Sequence, residues 1–366
     1  MKIGIVTIYD GNNMGSFLQA VALKFAIEDL GHEVVFIERM TAEENLKLFL
    51  NRSFSKPRPF PLNYIAVIKR AIFNYSQDKK RRDEIKKIYD VLSKERISLP
   101  TVSVDSIYDL DLIICGSDEI WNFNNTSISV PFYTCLNYGF NIRKIAYAVS
   151  IGSSSTEDFE KHSDVINVIK TFDRIFPRDI HSQEVLEGLL NTRLKTVCDP
   201  TLLVDRNRMD DSFKIPYDGE YIMLYAYDLS NEEKKYLKRF SKEHGIPIFS
   251  VLHYSEIADK IITESPFHFA GIIKNSSYCY TSTFHGTIFC TLFANKFVYR
   301  SRRLKVKQVA ETMGVQDREW ISGTYNEFKE MMECKLDRIR IDNTLNEIKK
   351  NNNDLLKGII ENANLQ

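Results

Sequence analysis

The sequence predicts an α/β protein of two Rossmann-like domains, each a parallel sheet flanked by helices, facing a central cleft. Three observations lead there. The chain has 366 residues, beyond the ~250–300 at which one hydrophobic core usually divides. Short apolar, β-branched runs alternate with helical patterns, the mark of strand–helix–strand units and parallel sheets. The alternation restarts after a polar, irregular stretch, DRNRMDDSFKIPYDGE, which puts a domain boundary near 205–218. The expected division is 1–205, 206–340 and a terminal helix in 341–366.

Taken in order, KIGIVTI (2–8) reads as a buried parallel strand and YDGNNMG (9–15) as a tight turn. Ser16 is placed to cap the next helix, where Leu18, Val21, Ala22 and Phe25 share a face, and Gly31 ends it. HEVVFIE (32–38) is the second strand. Residues 41–100 break the pattern and read as an inserted, basic, helical segment packed on the first domain. Prolines cluster at 56–62, and the stretch from Lys69 to Arg96 carries ten basic and five acidic residues. That surface is either simply solvated or touches an anionic membrane face. The sheet resumes with strands in 111–122, 143–155, 173–179 and 195–205, each running into a polar loop. The second domain offers strands in 221–227, 246–252, 276–282 and 295–300, with an amphipathic helix over 231–245 closed by Gly245. The tail 344–360 reads as a helix opened by a Thr344–Glu347 capping box.

Bulk composition excludes some functions. Lysine plus arginine and aspartate plus glutamate both number 49, so net charge gives nucleic-acid binding no support. The six cysteines form no CxxC pair and mostly sit in apolar runs, which suits reduced thiols in a cytoplasmic protein. The N-terminus has no signal-peptide pattern, and no apolar run reaches the ~18–20 residues of a membrane span.

Ligands of parallel sheets bind at the carboxyl ends of the strands, so the loops there are the candidates. DGNNMGS, with Asn13 and Gly15, is a plain tight turn or an anion cradle at a helix N-terminus. In GSDEIWN, Ser117 or Asp118 caps a helix, or Asp118 and Glu119 handle the protons of a hydroxyl acceptor. Trp121 is core or a platform for a sugar face. In YAVSIGSSS, Ser150 and Gly152 begin an ordinary loop or a polar binding loop. Arg178, just past an apolar strand, makes a surface ion pair or grips a carboxylate or phosphate with its planar fork. Asp199, before Pro200, reads as part of a structural turn joining the domains. STFHGTIF is the most informative segment. Ser282, Thr283, His285, Gly286 and Thr287 surround a helix N-terminus that opens toward the cleft, where free N–H groups favour an anion. The basic run after it, YRSRRLKVK (299–307) with Arg300, Arg302, Arg303, Lys305 and Lys307, supplies local charge in a neutral protein, in part simply solvated.

Read in order, NNMGSFLQAVAL (12–23), GSDEIWN, YAVSIG, the Arg178 segment, DPTLLVD and the block around TSTFHGT (269–298) resemble the polysaccharide pyruvyl transferase family. The resemblance covers roughly 4–315. It implies a fold like that of GT-B glycosyltransferases, with a C-terminal helix packing back on the first domain. It also implies transfer of the pyruvyl group of phosphoenolpyruvate to a sugar of a polysaccharide or lipid-linked precursor, as a ketal, with release of phosphate. His285 is carried over as the central residue and Arg178 as a donor-binding arginine. Which of Arg300, Arg302 and Arg303 joins it is open, as is the choice of His285 as general acid or phosphate ligand. The chemistry calls for no metal and no cofactor beyond the co-substrate. The expected setting is the cytoplasm, peripheral to the inner face of the membrane. A nucleotide-sugar glycosyltransferase and a non-catalytic glycan-binding protein are the alternatives.

Overall fold

A computed structural model describes residues 1–10, 13–38, 64–136, 142–209 and 213–362. The proline cluster at 56–62, and parts of the first loop and of the boundary segment, lie outside the described residues. The described chain forms two parallel sheets. The first contains β1 (Lys2–Val6), β2 (Glu33–Glu38), β3 (Thr101–Ser103), β4 (Leu112–Cys115), β5 (Lys144–Val149) and β6 (Arg174–Pro177), in the order β3-β2-β1-β4-β5-β6. The second contains β7 (Ile222–Tyr225), β8 (Ile248–Val251), β9 (Lys260–Ile262), β10 (Tyr278–Thr281) and β11 (Phe297–Tyr299), in the order β11-β10-β7-β8-β9. Each sheet starts in its middle, grows to one side, then returns and grows to the other. That is the doubly wound order, with its switch point between β1 and β4 in one sheet and between β7 and β10 in the other. The central strands β4, β7 and β10 are buried along their whole length. Helices cover both faces, which is why these strands are continuous apolar runs with no alternation.

The principal helices are α1 (Met14–Glu28), α2 (Tyr64–Ile97), α3 (Ile180–Leu190), α4 (Asn231–His244), α5 (Phe284–Phe293), α6 (Leu304–Thr312) and α7 (Arg338–Asn362). α1 is buried on nearly every side because it lies between the two sheets. Its Ala20, Leu23 and Ile27 join Ile3, Ile5 and Phe36 in the first core. Its Phe17, Leu18 and Val21 join Tyr225, Phe284 and Ile288 in a cluster of the second. Each fully buried aliphatic side chain here contributes ~1.5–3 kcal/mol. α7 spans the same division. Ile341 and Leu345 pack with the second-sheet cluster, while Leu356 and Ile360 pack with Ile3 and Leu112 of the first.

Three local expectations change. Asn13, not Ser16, caps α1, its side chain accepting from the Gly15 and Ser16 amides. The segment 195–199 forms no strand: its Val197 amide reaches the Pro177 carbonyl, but the chain then turns into a short 3-10 helix at Pro200–Leu202 capped by Asp199. Proline has no N–H for a ladder, and Asp199 turns the chain away from the sheet edge. α7 begins at Arg338, so Thr344 lies inside it and bonds back to the Arg340 carbonyl at 3.1 Å.

Candidate active site

The two switch points face each other, and two helix N-termini meet there. His285 sits in the first turn of α5. Thr283 is the N-cap, its hydroxyl accepting from the Gly286 amide at 2.9 Å. A Cβ at Gly286 would overlap the hydroxyls of Thr281 and Thr283, so only glycine fits that turn. From the opposite side, the first turn of α1 lies against the imidazole. A Cβ at Gly15 would overlap the His285 ring, so the missing side chain is what lets the two elements close.

Arg178 stands at the end of β6, its side chain 3% exposed, and ties the first-domain loops together. It donates to Asp199 Oδ2 at 2.8 Å and to Asp118 Oδ1 at 3.4 Å. Asp118 follows the end of β4 with φ +79°, a left-handed turn, and accepts a bond from the Ser16 hydroxyl at 2.6 Å. Asp199 divides its carboxylate. Oδ1 accepts from the amide and hydroxyl of Thr201, at 3.1 and 2.7 Å. Oδ2 faces Arg178 and lies 3.7 Å from His285 Nε2. That separation exceeds a hydrogen bond, and Nε2 is a buried atom with no hydrogen-bond partner among the described residues.

The electrostatics follow from that packing. Burial pushes the Asp118 carboxyl up, but Arg178, His285 and Lys305 outweigh it and bring it down to about 2. Burial acts the same way on Asp199, and His285 and Arg178 again overcome it and hold the carboxyl well below its usual range. Burial alone would lower Arg178, yet Asp118 and Asp199 raise it above its ordinary value. The cluster is thus two carboxylates around one guanidinium, beside a histidine whose Nε2 is unengaged.

The second domain closes over this cluster. The Phe284 ring lies 4.5 Å from the Arg178 guanidinium, and Lys305 Nζ lies 5.4 Å from the same ring. Lys305, in the first turn of α6, donates to Glu119 Oε1 at 2.5 Å across the cleft. A cavity of about 340 Å³ opens beside the cluster, lined by Arg178, Asp179, Asp199, Phe284, Lys305 and Glu311 among others; His285, Asp118 and Glu119 lie next to it and are not among its lining residues. That volume is at the small end of the ~300–1,000 Å³ range of ligand pockets. A second cavity, of about 280 Å³, lies where α7 passes the inter-domain segment. Its charges are already matched, Arg206 to Asp342 at 2.7 Å and Lys349 to Asp205 at 3.6 Å.

The other expected site residues fall in several places. Asn13 and Glu119 stay at the cleft. Ser282, Thr283 and Thr287 build the seat of His285: Ser282 is bonded both ways to the Tyr227 backbone, and the Thr287 hydroxyl donates to the Thr283 carbonyl. Ser117 is fully buried, its hydroxyl bonded to Gln19. Ser150 donates to Asp179 at 2.6 Å and accepts from the Gly152 amide. Two expectations are corrected. Trp121 is fully buried, its indole N–H donating to the Tyr133 carbonyl at 3.1 Å and its ring edge-on to Phe172; it is a core residue and offers no platform. Arg300 donates to the carbonyls of Trp320 and Ile321, and Arg302 pairs with Glu233 at 2.7 Å, so neither faces the cavity. Arg303 is exposed at the start of α6 and does not line the cavity. The residues the sequence underrated are Asp199, Ser16, Phe284 and Lys305. Only the DPT turn and the placement of Lys305 after a strand gave any signal.

Fold and site together define a class: a two-domain α/β protein whose site joins two facing switch points. A family model for polysaccharide pyruvyl transferase matches residues 13–301. The chain therefore belongs to the polysaccharide pyruvyl transferase family. No curated protein matches the chain. Among solved structures it is similar to an S. aureus MnaA–UDP co-structure, at 14% identity over 96% of this chain and 92% of that one, with a TM-score of 0.46. It is also similar to a UDP-N-acetylglucosamine 2-epimerase from Rickettsia bellii, at 13% identity over 100% and 97%, with a TM-score of 0.49. A putative enzyme of that name from Listeria monocytogenes gives 11% identity over 96% of both chains and a TM-score of 0.48. The strand orders define the fold without them.

Proposed function

We propose that this transferase moves the three-carbon unit of phosphoenolpyruvate onto two hydroxyls of a sugar, as a cyclic ketal, with release of phosphate. One observation carries the proposal: His285, with a free Nε2, is set against a carboxylate–guanidinium–carboxylate cluster at the cleft between two helix N-termini. His285 protonates C3, which turns the methylene into a methyl group and leaves C2 electrophilic. Asp199, at 3.7 Å, steadies the imidazolium before transfer. One sugar hydroxyl attacks C2 and gives up its proton to Glu119, since the neighbouring Asp118, held at about 2, is a poor base. The C2–O bond to phosphate then breaks, and a second hydroxyl adds to C2 and passes its proton to the departing phosphate. The positive ends of the two facing helix dipoles favour the departing phosphate, although the Gly15, Ser16 and Gly286 amides are already taken by the caps Asn13 and Thr283. No metal enters these steps.

The acceptor in this proposal is a polysaccharide or lipid-linked precursor, met in the cytoplasm near the membrane. Among the described residues no helix is long and apolar enough to cross a membrane. Contact would run through α2, whose described part is largely charged and exposed. Co-sedimentation with anionic vesicles tests that contact, and no binding at low salt removes it.

The donor is tested by calorimetry with phosphoenolpyruvate and with a UDP-sugar. Binding of the first and not the second is expected; the reverse assigns a nucleotide-sugar donor and ends the proposal. With a competent acceptor, His285→Gln should lower phosphate release ~10²–10⁴-fold, the usual worth of general acid catalysis.

A further inference from the structure

Among the described lining residues of the 340 Å³ cavity, Arg178 and Lys305 are the basic ones. They are not equivalent. Arg178 already faces two buried carboxylates, at 2.8 and 3.4 Å. Among the described residues Lys305 makes a direct ion pair with Glu119 alone, Asp118 acting on it only at longer range, and Glu119 comes from the other domain. Both side chains of this pair keep some exposure, 20% and 17%, whereas the Arg178 side chain keeps 3%. Glu119 has a second partner in Asn122, whose Nδ2 donates to Oε2 at 3.1 Å, so it has somewhere to stay when Lys305 leaves. The arginines after β11 are turned to Trp320, Ile321 and Glu233 or to solvent. An anionic donor entering the cleft thus has one cation that can change partners.

We infer that Lys305 is a donor-binding residue, and that Glu119 competes with the donor's anion for the same ammonium group. Binding exchanges one carboxylate for another anion on the same ammonium group. The Glu119–Lys305 bond is then a latch between the domains that the donor opens and replaces. Phe284 fits the same role. Its ring lies within cation–π range of both Arg178 and Lys305 and so holds the two cations on one side chain. The inference rests on phosphoenolpyruvate as donor.

Calorimetric titration of the whole protein with phosphoenolpyruvate tests it. Lys305→Met should weaken binding on the order of tenfold or more, the scale of a hydrogen bond to a charged group. Glu119→Gln should tighten binding severalfold, because no carboxylate then competes for Lys305. In the Lys305→Met background, Glu119→Gln should change nothing. A merely structural ion pair would not tighten binding when broken. Wild-type affinity in Lys305→Met, or unchanged or weaker binding in Glu119→Gln, overturns the inference while leaving the donor in place. If the wild-type protein gives no heat with millimolar phosphoenolpyruvate, the donor assignment falls and this exchange falls with it. Should Lys305→Met not fold, Glu119→Gln decides alone.

Discussion

Arg178 neutralises two buried carboxylates at once, and its loss leaves both without a counter-charge. Arg178→Met should therefore destabilise the protein by about 3–5 kcal/mol, the cost of breaking a buried ion pair by removing one partner. Urea unfolding measures it, and adding Asp199→Asn should recover part of the loss, since one uncompensated charge disappears. A change under 1 kcal/mol would mean that water reaches the cluster freely. Acid should act on the same residues. Asp118 titrates at about 2 in the folded chain, against ~3.9 for an unperturbed aspartate. The folded state thus binds fewer protons than the unfolded state between those values. The stabilisation, about 2–3 kcal/mol, is complete above pH ~4 and is lost as the pH falls toward 2. Asp199 adds a loss in the same direction. Urea midpoints at pH 5 and pH 2.5 should differ less in Asp118→Asn than in the wild type.

At the scale of elements, the site depends on two helix starts touching. Gly15→Ala puts a methyl group into the His285 ring, and the atom it meets belongs to a side chain seated by Thr281, Thr283 and Gly286. One of the two helices must shift. A displacement near 1 Å typically costs on the order of 100-fold in rate, and that loss in turnover is expected here. Gly188 in α3 is the control: a Cβ there meets nothing within 4 Å, and alanine should stabilise the helix by about 0.5–1 kcal/mol. The helix starts were legible in the sequence, because strand, turn and capping residue are local signals. So were most strands, as runs such as IGIV and LIIC announce burial on both faces. Contacts between distant loops were not legible. Ser16 looks like a cap in its own segment, and only folding brings it 2.6 Å from Asp118, 102 residues away. Asp199 reads as a turn residue, and with Oδ1 it is one; its second oxygen faces Arg178 and His285 for reasons no local pattern contains. Arg300 and Arg302 mislead in the opposite sense. Their charge was plain, but the carbonyls and Glu233 that take them up lie far along the chain.

At the scale of the whole molecule, the site is a property of how the two sheets are held together. His285 belongs to the second domain, and Asp118, Arg178 and Asp199 precede the second sheet, so the 3.7 Å approach of His285 to Asp199 exists only when the halves are closed. α1 and α7 both span the two halves, and α2 adds Ile88 and Leu92 to the second-sheet cluster. α7 is anchored to the second half by Arg338, which donates to the Thr291 and Leu292 carbonyls, and by Ile341 and Leu345. It is anchored to the first half by Leu356 and Ile360, and by Asn352 accepting from the Cys198 amide at 3.0 Å, next to Asp199. Ile348 and Asn352 also line the cavity, so the strut forms part of the wall. Leu356 is fully buried, and Leu356→Ala should cost about 2–5 kcal/mol through lost burial and the void left behind. A second effect is expected if α7 sets closure. At a temperature where both proteins remain folded, Leu356→Ala should show lower turnover per folded molecule and weaker donor binding. Leu356 shares its cluster with Val197 and Cys198, which line the cavity and lead into Asp199, so such a loss reaches the site through the helix and the turn it packs on. Unchanged turnover per folded molecule, with the stability loss intact, would make α7 a stabilising element that does not set the approach of the two halves.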